Sequence, residues 1–81
     1  MEMELRIRFY GRLADAIAPE IELATVPCSV ADLRSRIVSD YPAAEATLGR
    51  SRACIGDSFV GNEQQIGNAD TVEFLPPVSG G

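Results

Sequence analysis

Gly80 and Gly81 close the run Phe74-Leu75-Pro76-Pro77-Val78-Ser79-Gly80-Gly81, and the carboxylate they carry is the group with the clearest capacity for chemistry. Without a Cβ, two successive glycines can enter a channel too narrow for any other residue and set that carboxylate against the catalytic groups of another protein. Upstream, Pro76 and Pro77 fix φ and hold the residues before them extended, so the spacing predicts a stiff rod with a loose end. Ordinary chain ends are merely frayed. A strand, a proline pair and a short glycine end are instead a mechanical arrangement, and they predict a terminus used as a reagent.

Little else in the chain can react. The 81 residues contain no histidine and no lysine, which removes the imidazole general base, the usual zinc site, the Schiff base and any side-chain amine that could accept an isopeptide. No metal site is expected. Cys28 and Cys54 form no C-x-x-C and no disulfide framework, and without a neighbouring histidine or lysine to lower their pKa they read as small buried or half-buried filler. The net charge is −5, with all seven basic residues arginine. An acidic domain without a basic stripe excludes nucleic acid and anionic membrane as partners and predicts a basic protein surface. No apolar run approaches the ~20 residues of a membrane span, and Met1-Glu2-Met3-Glu4 is acidic where a secretory signal is basic, so the cytoplasm is the expected compartment.

The elements that must position the tail can be read from periodicity. Leu5, Ile7 and Phe9 alternate with Arg6, Arg8 and Tyr10, predicting a strand with one buried face that Met3 extends; the arginines read as its solvated face. Gly11 breaks it, Arg12 to Ala18 reads as a short helical turn closed by Pro19, and Glu20-Ile21-Glu22-Leu23 reads as the partner strand. Ser29 is a good N-cap with Asp32 at the capping-box position. Val30, Leu33, Ile37 and Tyr41 then make one apolar helical stripe, with Arg34, Arg36 and Asp40 facing out. Ala43 to Ser51 reads as a weak helical turn or loop that Gly49 stops. Ala53-Cys54-Ile55 and Ser58-Phe59-Val60 read as strands about a Gly56-Asp57 turn, and Ile66 as a core plug in a polar connection. Asn68-Ala69-Asp70 is the last turn before Thr71 to Leu75, where Val72 and Phe74 point one way and Glu73 and Leu75 the other. Leu75 is expected as exposed apolar surface of the kind that marks an interface.

One amphipathic helix and about five strands make a two-layer α+β domain: a mixed sheet with the helix laid across one face, residues 1–75, followed by a mobile tail, residues 76–81. This resembles the β-grasp arrangement of ubiquitin. The first and last strands are apolar enough to lie centrally and parallel, which would eject the tail from mid-sheet. A domain of this size hides only about 60 to 65% of its unfolded surface, so modest stability is expected.

The ending Phe74 to Gly81, with the opening Leu5-Arg6-Ile7-Arg8-Phe9-Tyr10-Gly11-Arg12-Leu13, is similar to the small, sulfur-carrying subunit of molybdopterin synthase. Two turns depart from that family's pattern: Gly56 stands where Asn is frequent, and Asn68-Ala69-Asp70 replaces Asp-Gly-Asp. The resemblance implies that an activating enzyme uses ATP to adenylate the terminal carboxylate and that a sulfur donor protein converts it to a thiocarboxylate. The sulfur then passes to a cyclic pterin phosphate precursor inside a large catalytic subunit. Gly81 would carry the sulfur and Gly80 give clearance. Pro76, Pro77, Val78 and Ser79 would set the reach of the tail and line its entry, and Leu75 would lie on the partner. The chain itself would bind no cofactor, and acid–base groups would come from the partner. Three alternatives stand beside this: a carrier for thiazole or thiolated-nucleotide synthesis, a ubiquitin-like tag conjugated to lysines of other proteins, and a β-grasp interaction module with an idle tail.

Overall fold

Strand β1, Met3–Phe9, alternates buried and exposed residues along its whole length, because Met3, Leu5, Ile7 and Phe9 enter the core while Glu4, Arg6 and Arg8 face water. The computed structural model to which it belongs describes residues 2–67 and 70–77. After β1 come the short helix α1 (Arg12–Ala16), β2 (Glu20–Thr25), β3 (Cys28–Ser29) and the main helix α2 (Val30–Asp40). A 3₁₀ turn at Pro42–Ala44 leads to α3 (Glu45–Arg50), then β4 (Arg52–Ile55), β5 (Ser58–Val60), β6 (Gln65–Ile66) and β7 (Thr71–Leu75).

Five strands form one mixed sheet in the order β2-β1-β7-β4-β5, and β3 and β6 pair separately. β7 lies at the centre. It runs parallel to β1, with Ile7 opposite Val72 and Phe9 opposite Phe74, and antiparallel to β4 on its other side. The two phenylalanines stack with ring centroids 5.9 Å apart. This is the expected arrangement, and its cause is apolarity: a central strand gives up solvent on both edges, and β1 and β7 supply the most continuous buried sets. Leu5, Ile7, Leu13, Val30, Leu33, Ile37, Leu48, Ile66, Val72 and Phe74 are all at least 98% buried, each stabilising the fold by roughly 1.5–3 kcal/mol relative to exposure.

Helix α2 begins as its sequence dictates. The Ser29 side chain accepts from the Asp32 N–H at 3.2 Å while the Asp32 carboxylate accepts from the Ser29 N–H at 3.3 Å, a complete capping box. Its buried face is Val30, Leu33 and Ile37, and Tyr41 closes it at the edge of the core. The β4–β5 hairpin turns at Gly56, whose φ of 64° lies where a Cβ is strained. Of the turn expected at residues 68–70, Asn68 and Ala69 lie outside the described residues.

Three expectations are corrected. Ala43 to Ser51, expected as a weak helical turn or loop, is helical and is more regular than expected. It folds as the 3₁₀ turn followed by α3, because Ala43, Ala44 and Ala46 cost little to order and Ala44 and Leu48 are buried. Gly49 does not stop that helix, which ends one residue later. Arg34 does not face out with Arg36 and Asp40. It is half-buried and donates from Nη1 to the carbonyl of Leu48 and, at 2.9 Å, to Ser51 Oγ, from Nη2 to the carbonyl of Ser51 at 2.9 Å, and from Nε to Asn62 Oδ1 at 2.9 Å. The reason lies in α3, whose C-terminal end leaves carbonyls that need donors and attract a cation. The Arg34 guanidinium also sits 5.1 Å from the centroid of the Phe74 ring. Ile66 plugs the core as expected. It does so from β6, whose pairing with β3 puts Ile66 opposite Cys28.

Candidate tail root and its surroundings

Pro76 and Pro77 follow directly on the end of β7, so the geometry there sets how the chain departs from the central strand. In β7 the alternation puts Val72 and Phe74 in the core and Thr71, Glu73 and Leu75 on the opposite face of the sheet. Leu75, expected to be exposed, is half-buried, for it lies directly across from Arg52 of β4 in the antiparallel register. Pro76 is half-buried against Gly11 and Pro77 is exposed. Val78, Ser79, Gly80 and Gly81 lie outside the described residues.

Two contacts tie the end of β7 to the end of β1. A Cβ placed on Gly11 would stand 3.0 Å from Pro76 Cγ, and Gly11 already has a φ of 58°, so this position excludes a side chain on two independent counts. One residue earlier, the Tyr10 hydroxyl donates to Glu73 Oε2. That bond to the carboxylate, with a smaller contribution from burial, raises the Tyr10 phenol above its ordinary pKa. The parallel pairing of β1 with β7 is thus continued past the strand ends by side chains.

Across the same face, charge is divided. Over β1 and β2 it is neutralised: Arg6 contacts Glu20 at 3.4 Å and Glu22 at 3.8 Å, and Arg8 contacts Glu20 at 3.0 Å. Over β4 and β5, Arg52 has no carboxylate partner among the described residues. The Arg52 guanidinium lies 3.9 Å from the centroid of Phe59, which is 54% exposed. Cys54, opposite Phe59 on one side and Glu73 on the other, is half-buried, and its thiol donates to the Gly56 carbonyl at 3.3 Å. Cys28 is half-buried against the core. Among the described residues, no group of three or more Cys, Asp or Glu side chains is placed to hold a metal ion.

Of the residues singled out in the sequence, Leu75, Pro76 and Pro77 are thus brought to one end of the central strand. Gly11, Tyr10, Arg52 and Phe59 were not singled out there, although they surround that end. Gly11 and Tyr10 could have been found from the parallel pairing alone, which sets the residues after Phe9 beside those after Phe74. Nothing in the sequence marks Arg52 and Phe59 as neighbours.

A mixed five-stranded sheet with β7 at its centre and the main helix packed across it defines the class: a ubiquitin-like β-grasp domain. The chain matches the ThiS family over residues 7–81 and belongs to it, as a ubiquitin-like sulfur carrier. A curated relative, the glycine–tRNA ligase beta subunit of Citrifermentans bemidjiense, is 36% identical over 78 residues. That match takes in 96% of this chain and 11% of that protein, so the chain spans about a tenth of its relative's length. The solution structure of small archaeal modifier protein 1 from Methanosarcina acetivorans superposes with a TM-score of 0.81 at 23% identity, over 100% of this chain and 99% of that one. Molybdopterin-converting factor from Helicobacter pylori, solved as a complex of its subunits 1 and 2, matches with a TM-score of 0.64 at 24% identity, over 98% of this chain and 100% of that chain. At these identities the structural matches establish the ubiquitin-like fold.

Proposed function

We propose that Gly81 is the sulfur-carrying residue and that the pathway served is molybdopterin synthesis. The carboxylate attacks the α-phosphate of ATP in an activating enzyme, releasing pyrophosphate and forming a terminal acyl-adenylate. Sulfur handed over at the sulfide level by a donor protein then attacks the acyl carbon, forms the carbon–sulfur bond and expels AMP, which leaves a thiocarboxylate. This soft nucleophile, held on Pro76, Pro77, Val78, Ser79 and Gly80, enters a large catalytic subunit and attacks a carbon of a cyclic pterin phosphate precursor, forming a carbon–sulfur bond as an oxygen substituent of that carbon leaves with a proton from the partner. Water cleaves the acyl–sulfur bond and returns the carboxylate. The carrier supplies sulfur and docking, while proton transfers belong to the partner, since this chain has no histidine or lysine.

One observation carries the reading. The ThiS family match runs from β1 through both terminal glycines, so the body and the tail are matched together. The likeness to a molybdopterin-converting factor solved with its second subunit supports the choice of pathway and of a large-subunit partner. The test is to incubate the protein with its activating enzyme, ATP and sulfide, and then to supply the large subunit and the precursor. Exchange of one oxygen for sulfur, confined to the peptide ending in Gly81, followed by loss of that sulfur to the pterin, is the expected result. Sulfur gained but passed only to a thiazole or to tRNA would assign another pathway. Adducts on lysines of other proteins would assign a modifier.

A further inference from the structure

We infer that the groove beside the tail root, between β4, β5 and the corner of α2 and α3, docks an acidic segment of the enzyme that activates the tail. Arg6, Arg8 and Arg36 are each paired with a carboxylate. Arg34 and Arg52 have no carboxylate partner among the described residues, and both line this one groove of about 390 Å³, with Ser51, Phe59 and Asn62. Arg12 and Arg50 also lack a carboxylate among the described residues, but each stands exposed on a short helix, apart from this groove. In a chain of net charge −5, two rigid cations left together without an anion are a local reversal of sign.

Each cation is already positioned. Arg52 Cζ stands 3.9 Å from the centroid of the Phe59 ring, and the residue is exposed, so its guanidinium, a planar fork of N–H donors, is held over the ring within reach of solvent. A fork of that shape matches a carboxylate with two parallel hydrogen bonds. Arg34 is fixed by its bonds to Leu48, Ser51 and Asn62, so its charge cannot swing away. Burial lowers its pKa, and a carboxylate in the groove would relieve that cost. The exposed Phe59 ring adds an apolar edge of the kind enriched in protein interfaces.

Location identifies the partner. Arg52 stands across from Leu75, the last residue of β7, and residues 76–81 span at most ~20 Å when extended. An enzyme holding Gly81 in its active site therefore has its surface over this groove. The net charge predicts a basic partner, but at this spot the partner must be acidic. The inference rests on Gly81 being activated as proposed above and is independent of the pathway its sulfur enters.

The test is ATP–pyrophosphate exchange by the activating enzyme at several salt concentrations, with wild type, Arg52→Glu and, as a control on net charge, Arg12→Glu. Arg52→Glu should raise the KM for the carrier about tenfold or more and flatten its salt dependence, leave kcat within about twofold, and melt as wild type does; Arg12→Glu should leave KM within about twofold. An unchanged KM for Arg52→Glu, or an equal rise for both variants, overturns the docking site alone. Failure of the wild type to support any exchange contradicts the carrier reading itself.

Discussion

Gly11 is the residue whose replacement reports most directly on how the tail is launched. Its φ of 58° alone makes an L side chain costly, and Pro76 Cγ occupies the space a Cβ needs. Gly11→Ala is expected to lose ~1–3 kcal/mol of stability. In a Pro76→Ala background the loss should be smaller, because the ring is gone while the backbone strain stays; urea unfolding of the four proteins in this cycle measures the difference. Tyr10 makes a pH-dependent contribution. Its phenol pKa is raised by Glu73, so folding favours the protonated form. The stability this gives is complete below the unfolded value of about 10 and is lost as pH rises through the higher folded value. The urea midpoint of the wild type should therefore fall more steeply above pH ~10 than that of Tyr10→Phe. With no lysine in the chain, few other groups titrate in that range. Arg34→Met keeps the aliphatic stem but strips the donors from Leu48 and Ser51. It should cost ~2–3 kcal/mol, read by the same unfolding measurement.

At the scale of elements, those with a strict period were legible in the sequence and those defined by contact were not. β1 and α2 were readable because each alternation or stripe corresponds to one buried face, and the Ser29–Asp32 box marks the start of α2 to the residue. Ser29→Ala should cost ~1 kcal/mol, seen as a lowered melting temperature without loss of the sheet signal. α3 is legible only as a weak helical turn or loop because its six residues carry a single large apolar side chain, Leu48, too few for a period, and because Gly49 argues against a helix. Burial of Leu48 outweighs that glycine. β3 and β6 are two residues each and exist only as partners of one another, so neither has a signature of its own. The residue types from Pro76 to Gly81 are plain in the sequence, and of these the structure describes Pro76 and Pro77. The surroundings of the tail root were not legible, since Tyr10 with Glu73 and Arg52 with Phe59 are matched by sheet register. Arg34 was misread for the same reason: a charged residue on a helix face is solvated unless another element brings carbonyls to it.

For the whole molecule, the parallel pairing of β1 with a central β7 makes the sheet a mount for the residues beyond Leu75. The stacked Phe9 and Phe74, the Tyr10–Glu73 bond and the Gly11–Pro76 contact all brace that one end. On the sheet face Arg6 and Arg8 are paired with carboxylates while Arg52, across from Leu75, has no such partner among the described residues, which distinguishes one side of the mount. On the function proposed above, this arrangement serves one group, the acid of Gly81. The most direct measurement compares the protein bearing a free Gly81 carboxylate with a semisynthetic form capped there as an amide, in a mixture of activating enzyme, ATP, sulfur donor, large subunit and pterin precursor. The account predicts molybdopterin from the first and none from the second, although both fold alike; equal product from the capped form would contradict it.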